Sequence, residues 1–176
     1  MSQRLRREFY DWVSVIVKAL IVAFVIKTFL FQPVQVDGAS MFPTLQNDDR
    51  LMVNKLEYFI TDPHRGDIVI LDSPVEPGKL YIKRVIGLGG EKVSIIDGHF
   101  YINDTLLDES YIGPDVSTLI YNNMSEWLIP NGYVFVAGDN RTGSYDSRQM
   151  GPVKVDAVKG EAIFRMYPFD HLGGLN

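Results

Sequence analysis

The stretch VDGASMFPTL, Val36 to Leu45, places one serine, Ser40, in an apolar, glycine-led turn directly after a long hydrophobic run. A serine hydroxyl is too weak an acid to attack a carbonyl unaided and needs a base beside it. Beyond three scattered histidines, two stretches supply partners: LYIKRVIGLGGE, Leu80 to Glu91, and GDNRTGSYDSR, Gly138 to Arg148. In the first, Lys83 and Arg84 are adjacent on an apolar, strand-like run, and of the two only lysine reaches a neutral state near physiological pH. Burial among Tyr81, Val85 and their aliphatic neighbours disfavours the charged amine, and lowering its pKa from ~10.4 to ~8 costs roughly 3 kcal/mol of charge solvation. A neutral Lys83 then takes the proton from Ser40, a serine-lysine pairing in place of serine-histidine-aspartate. The spacing alone is also that of an ordinary solvated strand lysine.

The second stretch concentrates turn formers, acids and arginines straight after the run YVFVA, where a rigid scaffold hands over to a functional loop. Asp139, Asn140 and Asp146 are of the types that bond backbone in turns, Arg141 and Arg148 suit carboxylate partners, and Ser144 is placed to orient the lysine amine. The same composition describes an Asx-rich turn with surface ion pairs, and composition leaves both readings open.

The rest of the chain must bring these loops together. Its 176 residues, 46% hydrophobic, suffice for one domain with a sizeable core and an appendage. A net charge of -5 argues against a nucleic-acid partner, which asks for a basic face. With no cysteine and only His64, His99 and His171, widely spaced, neither a disulfide framework nor a metal site is expected, and no cofactor is expected either.

Arg4, Arg6 and Arg7 precede a run from Trp12 to Phe31 that is apolar except for Ser14, Lys18, Lys27 and Thr28, close to the ~20 residues of a membrane-crossing helix. The arginines before it, and Asp37, Asp48 and Asp49 after it, orient the N-terminus to the cytoplasm and the bulk of the chain outside. Lys18 and Lys27, on opposite faces of such a helix, each lie within reach of an interface by snorkelling. A cleaved signal peptide and an interfacial amphipathic helix are the alternatives; Asp37 sits poorly in a small-residue cleavage site. The expected organisation is residues 1–11 cytoplasmic, 12–31 a transmembrane helix and 32–176 an extracytoplasmic β-rich catalytic domain.

Beyond Phe31, short β-rich runs alternate with turns and no long amphipathic helix intervenes, which predicts a mainly β, antiparallel-sheet domain. DIVIL, Asp67 to Leu71, reads as a buried strand. KVSIIDGHFYIN reads as a hairpin turning on Asp97-Gly98, two residues that tolerate the positive φ of a type I′ turn. The polar segment Asp104 to Trp127 is expected to be a loop-rich, mobile excursion, and YVFVA and KGEAIFRMYPF supply further strands.

The span, DGASMFPTL, RGDIVIL, YIKRVIGLGGE, GDNRTGSYDSR and the closing FRMYPF, in this order, resemble the type I signal peptidases, and among them the small Gram-positive form with one N-terminal span. The resemblance covers essentially the whole chain. It implies a serine endopeptidase with Ser40 as nucleophile and Lys83 as general base, held by the Ser144 hydroxyl. It further implies an oxyanion hole at the Ser40 N–H, a substrate pocket shaped by Met41, and a site braced by Asp146 and Arg148, with Asp139 structural. The implied substrates are secretory precursor proteins, with small side chains one and three residues before the cut. Gly38 stands where some relatives add a serine hydroxyl to the oxyanion hole, Gly89 where proline is common, and Gly143 where many carry asparagine. Apolar residues near Met41, Phe42 and Phe59 are expected to dip into lipid. The rival readings are a self-cleaving repressor-type serine-lysine protease, which would be soluble and carry a DNA-binding module, and a non-catalytic membrane-anchored β domain.

Overall fold

The computed structural model describes residues 3–25 and 30–175, without the side chains of 3–7, 9, 23, 25 and 59. Helix α1 (Gln3–Val25) is followed by strands β1 (Phe31–Gln35) and β2 (Arg50–Asn54), a turn of helix α2 (Glu57–Ile60), then β3 (Ile68–Asp72) and β4 (Leu80–Gly87). β5 (Lys92–Ile96), β6 (His99–Ile102), β7 (Thr105–Leu106), β8 (Glu126–Leu128) and β9 (Tyr133–Ala137) come next. A short helix α3 (Ser147–Met150), β10 (Val153–Lys154), the long β11 (Val158–Tyr167) and β12 (Gly173–Gly174) complete the described chain.

The strands make two antiparallel sheets. The larger runs β1-β2-β11-β3-β4-β9-β10, with β12 added to β11, and the smaller runs β7-β6-β5-β8. β3 lies inside the large sheet, and its unbroken apolar run has a direct cause: both of its faces are covered. Ile68 and Ile70 pack with Met41, Leu45, Leu51 and Val53, while Val69 and Leu71 pack with Val85, Val134 and Val136. The small sheet folds over the end of the large one, with Phe135 meeting the Phe100 ring at 5.9 Å and the Trp127 ring at 4.9 Å between centroids. Its hairpin turns on Asp97 and Gly98, at φ 50° and 79°, the backbone that Asp-Gly favours.

Two expectations need correcting. The excursion after Asp104 is pinned: Thr118 N–H donates to Gly98 O at 2.8 Å, and Glu109 pairs with the buried Arg141. Composition suggested mobility because its anchors are single polar residues that find distant partners. At the N-terminus, Phe31, expected to end a transmembrane helix, already belongs to β1 and pairs with Asn54. The described helix carries the apolar run only from Trp12 to Val25, the rest of it being rich in charge, and among the described residues no helix is long and apolar enough to cross a membrane. Lys27 and Thr28 lie outside the described residues, as do the side chains of Arg4, Arg6, Arg7 and Phe59.

Candidate active site

The Ser40 turn is held from beneath and from both ends. Met41 and Leu45 point into the core and are joined by a Leu45 N–H to Met41 O bond of 2.9 Å. Val36 N–H donates to Asp49 O at 2.8 Å, and Gly38, at φ 99°, donates its N–H to Asn47 Oδ1 at 2.8 Å. Met41 is thus buried rather than offered to lipid, whereas Phe42 beside it is half exposed. Burying these flanking side chains leaves Ser40 at the surface of the turn with its hydroxyl free to meet a partner.

That partner comes from β4. Lys83, which pairs with Val69 in the ladder, is only 4% exposed, and its Nζ stands 2.9 Å from Ser40 Oγ and 3.1 Å from Ile82 O. Burial pulls the lysine down to about 8; the Asp146 carboxylate opposes the shift and the Arg148 cation assists it. The amine is therefore substantially neutral at mildly alkaline pH, the state in which it accepts a proton. The pair opens on a cleft of about 600 Å³ whose lining includes Val36, Met41, Tyr81, Ile82 and Tyr145.

The loop after β9 locks the two halves together. Asp139 receives Arg84 Nε at 3.0 Å and Nη2 at 2.8 Å, and also the Thr44 hydroxyl at 2.6 Å. One buried carboxylate thereby ties the residue next to Lys83 to the loop that carries Ser40. Asn140 adds two bonds to the same loop, N–H to Ser40 O at 3.1 Å and Nδ2 to Ala39 O at 3.0 Å. Asp146 and Arg148 form a wholly buried bidentate pair, 2.8 and 2.7 Å, while Asp146 also accepts from Gly138 N–H at 2.9 Å. Ser144 is buried, but among the described residues its hydroxyl has no partner and no bond joins it to Lys83.

Sequence reasoning overlooked Arg84 as a brace, Thr44, and Arg165, whose Nη2 donates to Thr44 O at 2.5 Å. Thr44 lies within the quoted serine motif; Arg165 gave no signal beyond its place in FRMYPF. Gly143 also has a structural reason here: a Cβ on it would fall 2.6 Å from Asn140 Nδ2, so the small residue leaves room for the carboxamide that holds the Ser40 loop.

The family model described as Signal peptidase, peptidase S26 matches residues 9–167. The chain belongs to that family. Signal peptidase I T of Bacillus subtilis (strain 168) is 37% identical over 172 residues, covering 93% of this chain and 88% of that protein. Signal peptidase I of Bacillus licheniformis is 35% identical over 178 residues, covering 97% and 95%. A crystal structure of a signal peptidase I from Enterococcus faecalis V583 is similar over 57% of this chain and 97% of that one, at 35% identity and a TM-score of 0.49. As a signal peptidase, the protein is a serine endopeptidase that removes signal peptides.

In this signal peptidase Asp139→Ala leaves the Arg84 guanidinium buried without its counter-charge and releases Thr44. Removing one partner of a buried pair costs about 3–5 kcal/mol. Denaturant unfolding of the full chain in detergent should show a loss of that size; an unchanged midpoint would take Asp139 out of the brace.

Proposed function

We propose that Ser40 is the nucleophile and Lys83 the general base of signal-peptide cleavage. The observation that carries the assignment is the 2.9 Å approach of the two side chains at a buried lysine. Neutral Lys83 takes the proton from Ser40 Oγ as the oxygen bonds to the scissile carbonyl carbon, and the carbonyl electron pair moves to its oxygen. Ser40 N–H, which has no acceptor among the described residues, donates to that oxyanion, worth ~3 to 4 kcal/mol for one well-placed donor. Gly38 adds no hydroxyl to the oxyanion hole. The Lys83 ammonium gives its proton to the departing amine as the C–N bond breaks, and the neutral amine then activates the water that hydrolyses the acyl-enzyme.

Ser144 positions the lysine amine in this scheme. Its burial and its unused hydroxyl support that role. Asp146 and Arg148 brace the loop that carries it. Met41 and Val36 form the apolar floor under small substrate side chains before the cut.

The enzyme is anchored in the membrane through the apolar N-terminal run that begins at Trp12, with the residues before it in the cytoplasm and the β-rich domain, from Phe31 on, outside. In support, α1 exposes Val13, Val15, Ile16, Val17, Leu20, Ile21, Val22 and Phe24 around its circumference, an apolar surface that lipid would cover. Holding the catalytic domain beside the membrane-embedded signal segment raises the effective concentration of the cut site without any added contact.

The pH profile tests the base. Lys83 is active when neutral, so kcat/KM should rise as pH increases through about 8 and level off above it. A rate already level from pH ~6 upward would place the required ionisation on another group.

A further inference from the structure

One depression holds the reacting pair, and a second, which shares no lining residue with it, is lined by the neighbours of Ser40 in the same turn. The same two loops serve both. Ser40, Met41 and Tyr145 face the cleft described above, while Phe42, Pro43, Asn140 and Thr142 face a second groove of about 530 Å³. The pair lies in the first cleft, the residues that follow Ser40 in its turn line the second groove, and a peptide whose scissile bond lies at Ser40 can continue from one depression into the other. The first cleft is lined by Val34 and Gln35 of β1, the strand that leads away from the N-terminal helix, so the membrane-held signal segment belongs on that side. The chain that leaves belongs in the second.

The far wall of the second groove is the excursion, through Val116 and Leu119. Leu119 is 42% exposed and Phe42, opposite it in the lining, 53%. The backbone that carries Leu119 is fixed beside it. Thr118 is 3% exposed, and its hydroxyl accepts from Arg141 Nη1 at 2.8 Å while its N–H bonds Gly98 O. Glu109 holds the same guanidinium, and Tyr111 lies 3.9 Å under Arg84, the neighbour of Lys83. An apolar surface preorganised by buried polar anchors and lined by residues two and three positions after the nucleophile has the character of a binding surface.

We propose that this groove receives the first residues of the mature chain, directly after the cut, and favours apolar side chains there. The proposal rests on the assignment of Ser40 and Lys83. Its test uses the full-length enzyme in detergent and peptides with one common signal-side sequence. One peptide stops at the first mature residue; the other extends by four, with leucine or phenylalanine at the second and third. The wild type should cleave the extended peptide with kcat/KM about tenfold higher, and Leu119→Arg should bring the ratio near one. Leu119→Ser serves if the arginine variant does not fold. No gain from extension in the wild type, or an undiminished gain in both variants, would overturn the proposal. So would an unchanged ratio accompanied by weaker binding of Leu119→Arg to phosphatidylethanolamine and phosphatidylglycerol vesicles, which would make the surface a lipid contact. Failure of the underlying assignment would look different: Ser40→Ala would still cut the short peptide.

Discussion

Ser40→Ala and Lys83→Ala should each lower precursor cleavage by about 10⁴-fold or more while the protein stays folded. The first removes the atom that attacks. The second leaves the Ser40 hydroxyl at its ordinary acidity, with Asp146 and Arg148 committed to each other and no second base within reach of Oγ among the described residues. Lys83→Arg is the sharper variant, because it keeps a cation at the site yet cannot lose its proton, and it should be as inactive as alanine. Cleavage of a purified precursor in detergent, followed by single-turnover kinetics, reads all three. Substantial activity in Lys83→Arg would mean that the position supplies charge rather than a proton acceptor.

Gly138→Ala should be nearly as damaging for a steric reason. A Cβ there would lie 2.3 Å from Ser40 O and 2.3 Å from Ser144 Oγ, well inside any tolerated contact. Because one of the two atoms is backbone, relief requires the nucleophile's own peptide to move. A displacement on the order of 1 Å at a reacting group costs about 10²-fold in rate. The loss should fall on kcat with KM little changed, alongside ~1–3 kcal/mol of overpacking. Gly174→Ala is the control, since nothing comes nearer than 3.9 Å to its added methyl. Wild-type turnover in Gly138→Ala would show that the Ser40 carbonyl is not held where the structure puts it.

What could be read from the sequence divides by the range of the interaction. Asp97-Gly98 announced its hairpin because the backbone preference resides in those two residues, and DIVIL announced a central strand because burial on both faces removes polar alternation. The meeting of Ser40 with Lys83 spans 43 positions and leaves no periodicity, so only the ordered motifs pointed to it. The Asp139 brace reaches 55 residues to Arg84 and 95 to Thr44, and each of those residues has an unremarkable surface role when read alone. The anchoring of the excursion was missed for the same cause: one glutamate outweighs a polar, turn-rich stretch only once its arginine is known. At the N-terminus hydropathy carried the expected helix to Phe31, a residue that β1 pairing with β2 claims for the sheet.

Direct titration of the Lys83 amine tests the central chemistry. With ¹³Cε-labelled lysine in the full-length protein in detergent, and Lys83→Arg to assign the resonance, this one amine should titrate near 8, coincident with the rising limb of kcat/KM. An amine that keeps its proton up to ~10.4, as solvated lysines do, would contradict it.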